Sequence, residues 1–181
     1  MPYAPILATL AYVLSPDRSS VLMIHRDARP DDYHLGKCNG LGGKLRADED
    51  IVAGVQREVR EEAGIECEQL RLAGTVSWPG FGPGGAREGA QPRPLERSDQ
   101  GQGEDWFGFI FRVDRFSGEP RRTSPEGTLG WVPLGEVMGL PLWEGDRNFL
   151  PLVFAEPLRP FHGVMPYRDG RPVSWSYTSC G

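Results

Sequence analysis

Between Gly43 and Ile65 the chain reads GKLRADEDIVAGVQREVREEAGI, and this stretch constrains fold and chemistry more than any other. It holds seven chemically loaded residues at fixed spacing: Gly43, Glu49, Arg57, Glu58, Glu61, Glu62 and Gly64. At average residue usage such a pattern recurs by accident on the order of once in a hundred million windows. Its local physics is legible too. Asp50 is a suitable N-cap, Ile51, Val52, Val55, Val59 and Ala63 recur at helical intervals, and Gly64 stands where a left-handed cap belongs. The spacing predicts a helix from Asp50 to Ala63. On it Glu58, Glu61 and Glu62 lie within a turn of one another, so their carboxylates converge beside the apolar stripe. Three like charges there cost stability unless cations bind them. Hard oxygen donors of this kind suit Mg²⁺ or Mn²⁺, which keep several waters and can be shared with substrate phosphates. A solvated acidic face balanced by Arg57 and Arg60 would explain an isolated E-x-x-E-E, but not the Gly42-Gly43, Glu49 and Gly64 around it.

The chain of 181 residues, 39% hydrophobic and 25% charged, suits one domain over 1–181 with a single sizeable core. A net charge of −5 argues against a nucleic-acid polymer or an anionic membrane as partner. A nucleotide is still compatible, because a bound metal inverts the local field. Cys38, Cys67 and Cys180 are odd in number and lack metal-ligand spacing, which reads as reduced thiols in a cytoplasmic protein. The apolar run from Pro5 to Leu14 is too short to span a bilayer and reads as a strand.

Strands are expected at Ile6–Leu14, Ser20–His25, Gln69–Trp78, Trp106–Val113 and Gly130–Leu134. A second helix is expected over Gly145–Glu156, and a terminal hairpin pairs His162–Tyr167 with Pro172–Tyr177 around Arg168-Asp169-Gly170. The glycines of Asn39-Gly40-Leu41-Gly42-Gly43-Lys44 permit close backbone approach to a ligand or metal. The segment from Gly80 to Asp105, rich in Gly, Pro, Gln and charge, is expected to be a mobile surface insertion. Together these elements imply an α/β fold, a mixed sheet between helices in an α/β/α sandwich.

The Gly43–Ile65 pattern resembles the Nudix box of nucleoside-diphosphate-linked hydrolases, with every defining position filled. Flanking residues are similar to the MutT-type 8-oxo-dGTP diphosphatases, in particular the subgroup containing the human oxidised-purine nucleoside triphosphatase. They are Thr9-Leu10 with Val13-Leu14-Ser15-Pro16, Asn39 to Lys44, Leu142-Trp143 with Asp146, and Phe161-His162-Gly163. The resemblance implies the Nudix fold and places Asn39 and Asp146 at the base, Trp143 beside or over it and Thr9 on the pocket floor. These residue types fit such roles, since an amide and a carboxyl supply paired donors and acceptors to a purine edge, and an aromatic face adds stacking. His162 reads as structural. One position departs from the subgroup, which has two adjacent aspartates after the tryptophan, because this chain has Gly145 in place of the first.

Hydrolysis of a pyrophosphate linkage needs neutralised phosphates, an activated water and a leaving group held in line. Glu58 and Glu62 are the first candidates as metal ligands, completed by Glu61 and the Gly43 carbonyl, with Mg²⁺ or Mn²⁺ as the ion. Arg57 is expected to orient Glu49 or Glu58, since a planar guanidinium matches a carboxylate. Glu126 stands where relatives carry an acidic residue over the metals, so it is a ligand or the general base. Glu58, Glu61 and Glu126 are all candidates for that base. The implied reaction converts an oxidised purine nucleoside triphosphate such as 8-oxo-dGTP into nucleoside monophosphate and pyrophosphate, a nucleotide-pool sanitation linked to DNA repair. A Nudix hydrolase of ADP-ribose or a dinucleoside polyphosphate would change only the pocket. A non-catalytic nucleotide-binding regulator usually loses box carboxylates, and none is missing here. The expected state is a monomer or weak homodimer.

Overall fold

The computed structural model describes residues 3–82 and 104–179. Its strands, in chain order, are β1 (Ile6–Leu14), β2 (Ser20–His25), β3 (Cys38–Asn39), β4 (Leu41–Lys44), β5 (Glu66–Trp78), β6 (Trp106–Ser117), β7 (Thr123–Ser124), β8 (Gly127–Pro133), β9 (Phe161–Val164), β10 (Tyr167–Arg168), β11 (Arg171–Pro172) and β12 (Ser176–Ser179). The helices are α1 (Ile51–Ala63) and α2 (Asp146–Val153), and a 3-10 turn covers Leu134–Gly139. Ten strands form one sheet in the order β12-β9-β5-β6-β1-β2-β8-β7, with β3 on β2 and β4 on β1. The sheet is mixed: β1 runs parallel to β6 and β5 parallel to β9, while the other neighbours are antiparallel.

Alternation along the central strands divides two cores. Ala11, Val13, Leu22 and Ile24 face Val55, Val59 and Ala63 of α1, whereas Tyr12, Leu14, Val21 and Met23 face Phe149, Leu150 and Val153 of α2. The expected α/β/α sandwich follows from that period of two. α1 begins at the Asp50 cap, whose side chain accepts from Val52 N and Ala53 N, and stops at Gly64 with φ 74°. Both ends coincide with the sequence reading.

Other boundaries shift for physical reasons. α2 ends at Val153, because the buried Arg112 guanidinium takes the Val153 and Ala155 carbonyls at 3.1 Å each and Glu156 precedes a proline. The terminal hairpin is split: β9 pairs with β12, while β10 and β11 form a separate ribbon whose turn residues Asp169 and Gly170 have φ 51° and 75°. The edges of the expected insertion are built into the fold. Gly80 N–H donates to Asp105 at 3.0 Å, and Phe81 packs on Trp78, Trp143 and Tyr167. The rest of that expected mobile segment, 83–103, lies outside the described residues.

One feature of the sheet makes room for a site. The same edge of β1 pairs with β2 at Val13 and Leu14 and with β4 from Ala8 to Ala11. This fork lays the Gly42-Gly43 backbone beside Thr9 and Leu10. A Cβ at Gly42, whose φ is 152°, would lie 2.1 Å from the Thr9 carbonyl oxygen, so glycine is needed there for contact with β1 rather than with a ligand.

Candidate active site

A cavity of about 370 Å³ opens at the fork and runs from α1 to the start of α2. At the α1 end, Arg57 donates a paired bond to Glu49 (Nε to Oε2 2.9 Å, Nη2 to Oε1 2.6 Å), and its Nη1 donates to Glu58 Oε1 at 2.7 Å. The guanidinium thus orients both expected carboxylates, not one. Hydrogen bonding from Arg57 holds Glu49 down at a pKa of about 2, so it stays an anchor for that arginine. Glu58 lies against the Gly43 backbone: a Cβ there would be 2.7 Å from Oε1. Glu62, only 5% exposed, accepts from Gly42 N–H at 2.9 Å.

Burial, and then the adjoining Glu126 carboxyl, push Glu62 well above the carboxylate range. Two carboxyls in contact cannot both ionise without a counter-charge, which a divalent cation supplies as well as a proton does. Glu58, Glu62, Glu126 and the Gly43 carbonyl are the oxygens that would hold a hard cation here. Glu126 reaches this end from the loop before β8 and is tied to Arg26, which also bonds Asp32 at 2.7 Å. Glu61 stands apart. Its side chain is 53% exposed and faces Arg46 and Arg57 at 3.4 and 3.3 Å. Among the described residues, no three His, Cys, Asp or Glu side chains gather closely enough to form a finished metal centre.

At the other end the cavity is lined by Thr9, Asn39, Trp143 and Asp146, all four residues expected there, together with His34, Trp78, Phe81, Trp106 and Tyr167. Three residues of the lining each carry a buried polar atom without a hydrogen-bond partner: Thr9 Oγ1, Asn39 Oδ1 and Trp106 Nε1. Desolvation raises Asp146 to a pKa of about 7 against the pull of Lys37 and Arg147. Near neutrality it can be donor or acceptor. Trp143 is tightly held: Tyr33 stacks on it at 5.1 Å, Phe81 meets it edge-on at 5.4 Å, and Lys37 Nζ lies 5.0 Å from its ring centre. The departure at Gly145 also has a cause. A Cβ there would lie 2.2 Å from the Tyr167 hydroxyl and 2.3 Å from Met165 Sδ, so any side chain would have to displace one or both of them. His162 is outside the cavity, paired with Thr75 at 2.9 Å.

Comparison with known proteins identifies the family. The model of the NUDIX domain matches residues 4–153, which is most of the chain. The chain belongs to the Nudix family. It is 28% identical over 163 residues to the oxidized purine nucleoside triphosphate hydrolase of Mus musculus, covering 90% of this chain and 87% of the relative. The enzyme of that name from Danio rerio is 27% identical over 150 residues, with coverage of 83% and 80%. Among solved structures, a MutT protein from Bacillus halodurans superposes with a TM-score of 0.74 at 27% identity, covering 95% of this chain and 97% of the other. As a Nudix hydrolase the protein is a pyrophosphohydrolase, of a family that generally uses divalent metal ions and binds nucleotides. Beyond the matched span, β9 and β12 complete the same sheet, and β9 pairs with β5. No helix among the described residues is long and apolar enough to cross a membrane, and Cys38 and Cys67 are free.

Sequence reasoning missed His34, Trp78, Phe81, Trp106 and Tyr167. Phe81 and Trp106 flank a segment whose polar composition masks them, and Tyr167 sits more than 120 residues from Asn39. His34 carried no motif at all.

Proposed function

We propose that this Nudix hydrolase acts on oxidised purine nucleoside triphosphates such as 8-oxo-dGTP, releasing nucleoside monophosphate and pyrophosphate. One observation carries the reading: a cavity of purine-nucleoside size has Glu58 and Glu126 at one end and Asp146 at the other, and three further residues of its lining hold a buried polar atom without a partner. Unpaired buried polar atoms are costly, and a base edge would satisfy them. The two relatives named for this activity support the same substrate class.

The base sits at Thr9, Asn39 and Asp146, with Trp143 walling the pocket, and the triphosphate extends toward Gly43. Glu58, Glu62, Glu126 and the Gly43 carbonyl would hold Mg²⁺ or Mn²⁺, which when bound neutralises phosphate charge and acidifies water. Arg57 keeps Glu58 turned to the cavity, fixed in turn by Glu49. Glu58 or Glu126, the carboxylates in the lining, accepts the proton of the water that attacks the β-phosphorus. Glu61 contributes through the charge of the rim.

The test is a panel of canonical and oxidised nucleoside triphosphates, ADP-ribose and dinucleoside polyphosphates with Mg²⁺ and with Mn²⁺, comparing kcat/KM. An oxidised purine triphosphate should lead. A clear lead for ADP-ribose or a dinucleoside polyphosphate would overturn the reading.

A further inference from the structure

Asn39 could offer a ligand either end of its amide, and its neighbours select one. Trp143 Nε1–H donates to His34 Nδ1 at 2.9 Å, and an indole nitrogen has no capacity to accept. His34 Nδ1 therefore bears the lone pair. The Asn39 side chain meets the same ring nitrogen at 3.5 Å. Two acceptors face to face would repel, so the end of the amide turned to His34 is the NH₂. The contact is long, and its weight lies in polarity more than strength. Oδ1 is left buried and unpartnered, on a residue that lines the cavity. Burial and then Arg26 lower the pKa of His34, against Asp32 and Glu126, which keeps the ring in its accepting, neutral form.

We propose that His34 is a positioning residue that fixes the Asn39 amide, so that the pocket presents an acceptor to the base. The group it meets is a hydrogen-bond donor, such as the ring N–H or exocyclic amine on the Watson–Crick edge of a guanine-type purine. The proposal rests on the base-reading role of Asn39 given above. It also assigns Trp143 a second role, since its N–H sets the protonation of the residue that sets the amide.

The experiment compares kcat/KM on 8-oxo-dGTP with that on purine deoxyriboside triphosphate, whose Watson–Crick edge carries no N–H. His34→Leu should lower that preference about tenfold, the size of one net hydrogen bond, through KM, with kcat within about twofold. His34→Asn, whose Oδ1 can stand in place of Nδ1 as an acceptor, should restore most of it. In an Asn39→Ala background His34→Leu should add nothing, because the group it positions is gone. Trp143→Phe, which keeps the packing and removes the N–H, should lose preference in the same direction and gives a second reading if His34→Leu does not fold. An unchanged preference in Asn39→Ala would overturn the base-reading role itself. A preference lost in Asn39→Ala but kept in both His34→Leu and Trp143→Phe, or a full additional loss in the double variant, would overturn only the role of His34.

Discussion

At the α1 end of the cavity the charged side chains are cross-braced before any substrate arrives, whereas at the α2 end polar atoms are left open. Arg57 alone joins Glu49, Glu58, Glu61 and the Lys44 carbonyl, while Thr9 Oγ1, Asn39 Oδ1 and Trp106 Nε1 have no partner. The difference separates two kinds of work. Phosphate chemistry gains from groups fixed in advance, since reorganisation during reaction is what preorganised charge avoids. Selectivity gains from groups that are costly unless the right base pairs with them.

The sharpest way to break this division is at the braced end. Glu58→Gln and Glu62→Gln should each lower kcat by roughly 10²-fold or more, and removal of divalent metal by a chelator should abolish turnover. The ranking of purine over pyrimidine triphosphates should survive in both variants. A changed ranking would show that the ends are not separable. At the open end, Asn39→Ala and Asp146→Ala should cost ten- to hundredfold in kcat/KM for the preferred purine, from about 1–3 kcal/mol of unpaired polar group, and much less for poor substrates. Equal losses on every substrate would dissolve the distinction from the other side.

A smaller effect concerns pH. Asp146, raised from 3.8 to about 7 by desolvation, binds its proton more tightly in the folded chain than in the unfolded one. Its contribution to stability is whole below pH 3.8 and is lost as pH rises through about 7. Asp146→Asn should therefore leave Tm unchanged near pH 4 and raise it by a few degrees near pH 8, read by calorimetry at both values. The variant should also flatten any inflection near pH 7 in kcat/KM, and an inflection that persisted would assign it to another group. Smallest of all, Glu61→Gln should reduce kcat less than about tenfold, because its carboxylate is half exposed and held by Arg46 and Arg57. A loss as large as that of Glu58→Gln would place it among the metal ligands after all.

The braced end was far more legible in the sequence than the open one. Glu49, Arg57, Glu58 and Glu62 lie within fourteen residues on one loop and helix, so spacing alone fixes which can meet. The sheet was legible for a similar reason, since alternation on β1 and β2 reports burial directly. The open end is assembled from β1, the loop before β3, both margins of a polar segment, the start of α2 and β10. No local period connects those pieces. The offset of Glu61 was hidden for a different reason: helical spacing brings it near Glu58, but the competing arginines at 46 and 57 turn it outward.

The fit of Gly145 against Tyr167 and Met165 bears on the order in which substitutions there can be combined. A carboxyl at position 145 would have to displace the ends of those two side chains, so the substitution made first would disturb the packing it enters. Made after Tyr167 has been trimmed, it would find space. Two routes to the same double variant thus differ in how far the intermediate must repack, so the effects of the two substitutions should not add.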